Sequence, residues 1–245
     1  MGMLNYFLYP FGLVLEVLAV IHFIRRRPDM FWIYIIVFLG PVGCVVYLCV
    51  VALPDLGLLN NSFGGMSRRK RIGALVVMIE DNPSVGNYEE LGELYMDEGD
   101  YSSARAAFDK AITPRYDTTD TFYRRGLCAM QLGDAAAAIP DLERVVKDNA
   151  AHDFNRAEGL LAHAYAQTGQ KEKAEALFQV AVVKSTLSET YLNFADLLVS
   201  QGRIAEARQW AQKVLNKERT MPNYLRRRER MWFQRAGELL KRLPA

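Results

Sequence analysis

The sequence predicts an all-α protein in two parts: a transmembrane helical hairpin, then an α-solenoid of four helix pairs with a capping helix at each end. Three observations carry that expectation. Two apolar runs fill the chain as far as Asp55 and are parted by a basic turn. A pattern of small, aromatic and glycine residues then recurs four times at a spacing of about 34 residues. Nearly all charge falls after residue 65, a split that a mean hydropathy of −0.04 conceals. The boundaries that follow are a hairpin over 1–55, a flexible linker over 56–67, a packing helix over 68–83, the repeats over 84–219 and a capping helix over 220–245.

Leu4–Ile24 is apolar but for Asn5, Glu16 and His22. As a helix rising 1.5 Å per residue it reaches about 30 Å, the thickness of a bilayer core. Arg25, Arg26 and Arg27 stop it, and Pro28-Asp29 makes a turn. Phe31–Leu53 is the second run, closed by Pro54-Asp55. No small-residue cleavage site follows the first run and a second run does, which argues against a removed signal peptide. Within the second run, Gly40-Pro41-Val42-Gly43 predicts a kink. A proline there is tolerated where neighbours satisfy the freed carbonyl, and Gly40 and Gly43 are expected to let helix one approach closely.

With RRRPDMFW before it, the run Trp32, Pro41, Gly43, Tyr47 and Leu48 resembles the two-helix hairpin that precedes the catalytic domains of cardiolipin synthases and other phospholipase D-type proteins. The resemblance covers about residues 10–55. The His-x-Lys motif of that family's chemistry is absent: His22, His152 and His163 are followed two places on by Ile24, Phe154 and Tyr165. The resemblance therefore implies an anchor without the activity. Glu16 is a costly residue for mid-bilayer. The readings open to it are a protonated acid bonded to a tyrosine hydroxyl, to backbone near Pro41 or to a second copy, a proton or ion role, and a partner's cation. Both ends of a two-span hairpin lie on one side. Arg25–Arg27 on the turn and Arg68, Arg69, Lys70 and Arg71 after the linker then stand on opposite sides, and the positive-inside rule nearly ties. The larger second cluster tips the expectation to a bacterial inner-membrane protein with cytoplasmic repeats.

LGLLNNSFGGMS, residues 56–67, is rich in Gly, Asn and Ser and reads as a linker. RRKRIGALVVMIE then places Ile72, Leu75, Val76 and Ile79 on one helix face before Asp81-Asn82-Pro83 ends it. Its basic start is a solvated helix end or a contact with anionic headgroups.

The recurring template begins with Gly92, Tyr95, Gly99, Ala104 and Phe108. Gly126, Ala129, Gly133, Ala138 and Leu142 take the same places one period on. Ala162, Tyr165, Gly169, Ala174 and Phe178 follow after a slightly longer step, and Ala195, Leu198, Gly202, Ala207 and Ala211 after a slightly shorter one. Small residues let the two helices of a unit lie close, and the glycine after the first helix takes the positive φ of a tight exit. This pattern resembles the tetratricopeptide repeat family over roughly residues 85–219. The tryptophan usual early in the first helix is replaced by Tyr88, Phe122, Glu158 and Tyr191, and the closing proline is missing except for nearby Pro114.

In that family the first helix of each unit lines a concave face. Starting the units at Val85, Thr119, Asn155 and Ser188, the resemblance implies a partner-binding lining of Glu89, Glu93, Met96 and Asp97 in the first. The second gives Asp120, Tyr123, Leu127, Met130 and Gln131. The third gives Arg156, His163 and Gln167, and the fourth Glu189, Leu192, Asp196 and Val199. Six acids face Arg156, around an apolar middle of Tyr123, Leu127 and Met130. The chaperone-binding subfamily grips a terminal carboxylate with Lys and Asn in its first unit. Glu89 and Glu93 stand there and would repel it. The partner implied is a protein or peptide of basic or neutral character with an apolar anchor, unless these acids are only a solvated helix face.

Beyond Arg219-Thr220-Met221-Pro222, the segment Tyr224–Leu243 repeats Tyr224, Trp232, Phe233, Ala236, Leu239 and Leu240 near helical spacing, with arginines between. It reads as the polar-faced cap that a solenoid end requires. A net charge of +2 points to no particular partner, no nucleic-acid-binding fold is legible, and Cys44, Cys49 and Cys128 form no disulfide or metal framework. No phosphate loop, metal-ligand cluster or nucleophile–base pair is legible, so neither cofactor nor enzyme activity is expected. The function read from the sequence is a membrane-anchored scaffold or adaptor. The alternative is a non-catalytic accessory of a lipid-synthesis or envelope-assembly complex.

Overall fold

The computed structural model describes residues 3–26, 31–52 and 58–244, and divides into two units, Met1–Gly73 and Ala74–Ala245. In the first unit, α1 (Met3–Arg26) packs against α2 (Phe31–Tyr47), which continues as a π-helical turn, Leu48–Ala52. Ala19, Ile36, Cys44 and Tyr47 form the small core between them. Around that core the surface is apolar: Leu13, Val17, Leu18, Val37, Phe38 and Val42 are all about half exposed or more. By length and composition alone Phe31–Val51 would cross a bilayer if it were one straight helix, and Gly12–Ile24 is a shorter apolar stretch. The turn expected at Pro28-Asp29 and the stop at Pro54-Asp55 lie outside the described residues.

The kink expected in the second run is a sharp break. Gly40 adopts φ 55°, ψ −134°, a backbone open to glycine alone, and Pro41 opens the helical piece after it. One glycine role differs from expectation. A Cβ on Gly43 would strike the Ile35 carbonyl of its own run, not α1. Gly12 of α1 provides the close approach instead, since a Cβ there would lie 3.2 Å from the Pro41 ring.

A long helix, α3 (Leu58–Asp81), follows. The segment expected as linker is thus helical from Leu58, because the pair Gly64-Gly65 costs a helix about 1 kcal/mol per residue without ending it. Of the predicted face, Leu75 is buried, Ile72 and Ile79 half-buried and Val76 exposed.

Four helix pairs make up the second unit: α4 (Val85–Glu98) with α5 (Tyr101–Ala111), α6 (Thr119–Gln131) with α7 (Ala135–Asp148), α8 (His152–Gln167) with α9 (Lys171–Lys184), and α10 (Ser188–Ser200) with α11 (Ile204–Thr220). Each pair turns at its predicted glycine. Gly99, Gly133, Gly169 and Gly202 sit at φ 77–80°. The amide one residue beyond each donates five residues back, to Tyr95, Ala129, Tyr165 and Leu198, which closes the helix in the Schellman manner. Ser84, Asp100, Thr118 and Asp134 accept amide hydrogen bonds at the starts of α4 to α7. Inside the pairs, Phe108 and Leu142 are fully buried against the small template residues Gly92 and Gly126. Phe178 is fully buried in the core that holds Ala162. Glu158, where the family has tryptophan, is buried and receives a hydrogen bond from Lys184 at 2.8 Å. The last helix, α12 (Asn223–Arg242), packs on α10 and α11 through Phe233 and Ala236, with Leu243 just beyond it, and closes the core.

Candidate functional site

The helices α4, α6, α8 and α10 carry the predicted lining, and their side chains meet across the repeats. Glu89 accepts a hydrogen bond from the buried Thr121 hydroxyl of the next unit and another from Tyr116 at 3.5 Å. Arg124 bridges two predicted acids, Glu93 at 3.1 Å and Asp120 at 2.6 Å. Asp120 also lies 3.6 Å from His152. Arg156 holds Glu189 at 2.7 Å and Asp153 at 3.6 Å. The Tyr123 hydroxyl donates to Asp153 at 2.5 Å, with its ring edge-on to His152. Asp196 is bound by Arg235 from α12.

Burial and this network set the charges. Tyr123 is pushed above the ordinary phenol range, first by burial and then by its bond to Asp153. Burial opposes the charge on Arg156, but the hydrogen bond to Glu189 and the nearby acids outweigh it and raise its pKa. Burial and then the Arg235 charge hold His163 below the usual imidazole value, against the pull of Asp196 and Glu189. Its Nε2 is 3.0 Å from the Gln167 amide nitrogen.

Several expectations need correction. The lining is less acidic than a count of six acids against Arg156 implied, because Arg124 and Arg235 also serve those acids. Leu192 is fully buried in the core and lines nothing, and Tyr123, 5% exposed, is a packing residue whose hydroxyl alone takes part. Leu127 and Met130 pack against the core, and Leu127 keeps apolar surface in the middle of the face. Asp97 and Gln131 are the more open polar positions, and Glu93 and Asp120 are about half exposed. Met96 packs beside Phe108 and Cys128.

Sequence reasoning missed Arg124, His152, Asp153 and Arg235. Arg124 had a local signal, its place four residues after Asp120. Asp153, Phe154 and Asn155 form a left-handed stretch at φ 47°, 56° and 63°, which leaves Phe154 84% exposed. Such a conformation costs roughly 1–2 kcal/mol per residue, and the bonds of Asp153 to Tyr123 and Arg156 help hold it. The signal was the second spacing: Gly133 to Gly169 is longer than Gly99 to Gly133 or Gly169 to Gly202, and the extra chain is spent in this junction. Cys128 is buried, and burial pushes its thiol up to about 11, so it is an unreactive packing residue. Among the described residues, no three His, Cys, Asp or Glu side chains are grouped to hold a metal ion.

Family profiles described as tetratricopeptide repeat match residues 89–154, 123–189 and 187–220, together a little over half of the 245 residues. The chain belongs to the tetratricopeptide repeat family. DnaJ homolog subfamily C member 3 of Rattus norvegicus is 30% identical over 136 residues, which is 50% of this chain and 26% of that protein. The Homo sapiens protein of the same name is 31% identical over 108 residues, 44% and 21% of the two chains. The tetratricopeptide chain thus spans about a quarter of the length of these curated relatives. Among solved structures, YrrB, described as a TPR protein with an unusual peptide-binding site, aligns with a TM-score of 0.55 at 19% identity, covering 66% of this chain and 82% of its own. MamA of Desulfovibrio magneticus RS-1 aligns at 0.58 and 24% identity, covering 64% and 89%. At these identities the likeness is one of fold.

Proposed function

We propose that the protein is a membrane-anchored adaptor that binds a protein or peptide segment along the face formed by α4, α6, α8 and α10. The observation that carries it is that face itself. The polar side chains of Asp97, Gln131, Glu93 and Asp120 border the apolar surface around Leu127 and Met130. YrrB, whose fold this chain shares, is described as having a peptide-binding site, which supports the same use here. Arg124 occupies Glu93 and Asp120, and Arg156 and Arg235 occupy acids of the fourth unit, so the open acidic character of the face centres on exposed Asp97. A ligand of basic or neutral character, with an apolar side chain over Leu127 and Met130, fits best.

The anchor is the apolar unit. Its exposed Val, Leu, Ile and Phe side chains form a surface that water disfavours at about 25 cal/mol per Å², and hydrocarbon is the solvent that matches them. The lipid-synthesis alternative finds no further support in the fold.

Photo-crosslinking residues placed at Gln131 and at Asp97 test the groove, with Val183, 84% exposed on α9, as the control. The expected result is one shared adduct from the two groove positions and none from Val183. Equal capture at Val183 would show that the groove has no special part in binding.

A further inference from the structure

α1 serves as a ruler for the run that packs on it. Gly12 and His22 are ten positions apart, so about 15 Å along a helix. Pro41 lies against Gly12, and Tyr47 shares a hydrogen bond of 2.9 Å with Nδ1 of His22. Tyr47 also meets Trp32 edge-on, ring centroids 5.8 Å apart. In a straight helix those two residues, fifteen positions apart, would be separated by about 22 Å. The chain therefore enters beside His22, rises to the break at Gly40 opposite Gly12, and returns beside His22 again. The clash of a Gly43 Cβ with the Ile35 backbone reports the same reversal, since eight positions of straight helix would part them by about 12 Å.

We infer that the apolar unit crosses the bilayer once, through α1, and that α2 with its π-helical turn is a re-entrant hairpin that leaves by the face it entered. This rests on the anchoring proposed above. Each arm, Phe31–Leu39 and Pro41–Ala52, is too short to cross about 30 Å of hydrocarbon. Backbone breaks are tolerated at that depth where protein covers them, and here Gly12 and Glu16 of α1 flank the break. Glu16 Oε1 comes within 3.9 Å of where a Gly40 Cβ would stand. The acid thus sits at the opening of the second arm, the positive end of its dipole, where the first amides have no intrahelical partner. Pro41, with no N–H, removes one of those amides. Of the readings open to Glu16, backbone near Pro41 is the one this placement selects.

The consequence is a change of topology. Between Ala52 and Arg68 the sequence holds Asp55, two asparagines and three glycines beside Pro54, and no apolar segment long enough to cross again. Arg25–Arg27 and Arg68–Arg71, seven cations in all, come to one headgroup layer, while residues 1–24 contain no Lys or Arg. The positive-inside rule no longer ties. It puts both clusters, and the repeats that follow, on the cytoplasmic side, with the start of α1 across the membrane.

Cysteines added one at a time as Leu4→Cys, Asp29→Cys and Ser67→Cys, labelled with a membrane-impermeant maleimide in intact and in permeabilised bacterial cells, decide the matter. The parent chain gives the background from Cys44, Cys49 and Cys128. Labelling of Leu4→Cys from outside, with Asp29→Cys and Ser67→Cys reached only after permeabilisation, is the expected pattern. A two-span hairpin puts Leu4 and Ser67 on one side and Asp29 on the other, and that pattern would overturn the inference while leaving the anchor intact. The reverse orientation, or three sites on one side of a membrane-held chain, would overturn it too. Extraction of the chain by alkaline carbonate would remove the anchor itself, and this inference with it.

Discussion

A methyl group at position 92 would lie 2.7 Å from the ring of Phe108, which is fully buried and has no room to withdraw. Gly92→Ala gains about 1 kcal/mol of helix propensity against an overpacking cost of about 1–3 kcal/mol. The expected net is a loss near 1 kcal/mol in denaturant unfolding, by the same two magnitudes. Gly86→Ala in the same helix meets nothing within 4 Å and should leave stability equal or higher. His163 offers a second test, in pH. Its folded pKa lies below that of the unfolded chain, about 6.5. Between the two values the unfolded state binds more protons, so stability is full above about pH 6.5 and falls as pH drops through the folded pKa. The groups facing the ring are Arg235 on α12 and Asp196 and Glu189 on α10. Comparing denaturation midpoints at pH 7 and 5.5 for the parent and His163→Gln should show a smaller acid loss in the variant.

At the scale of the element, the period, the turn glycines and the helix ends were legible because each is local. A glycine after a helix, an Asp or Ser before one and a small residue facing a large one all act within a single hairpin. What reached across the chain was not legible. Arg124 pairs with Glu93 of the preceding unit and Arg235 with Asp196 of an earlier helix, and nothing in the intervening sequence marks either pairing. Gly40-Pro41 announced a break but not its angle, since a proline kink and a full reversal share the same two residues. The closing helix shows which of its contacts matter. Phe233 is 5% exposed in the core, so Phe233→Ala should cost about 3–5 kcal/mol. The pair of Arg235 with Asp196 is about 40% exposed, and Arg235→Ala should cost under about 1 kcal/mol. Thermal melts of the two variants check both values, and a larger loss for Arg235 would mean that the cap is held by charge instead of packing.

For the whole molecule, a solenoid whose units touch only their neighbours draws its stability from each junction in turn. The left-handed stretch Asp153–Asn155 and the ion pairs around Arg156 are the points where one junction departs from the others. In the apolar unit the side chains face outward along both helices and leave little core between them. The proposed role joins these two chemistries, a water-facing groove for a polypeptide and an oil-facing anchor that fixes where it works. Alkaline carbonate washing of membranes from cells making the full chain, beside a chain lacking residues 1–57, addresses that union most directly. The account predicts that the full chain stays with the membrane pellet and the shortened chain is released. Release of the full chain into the supernatant would contradict it.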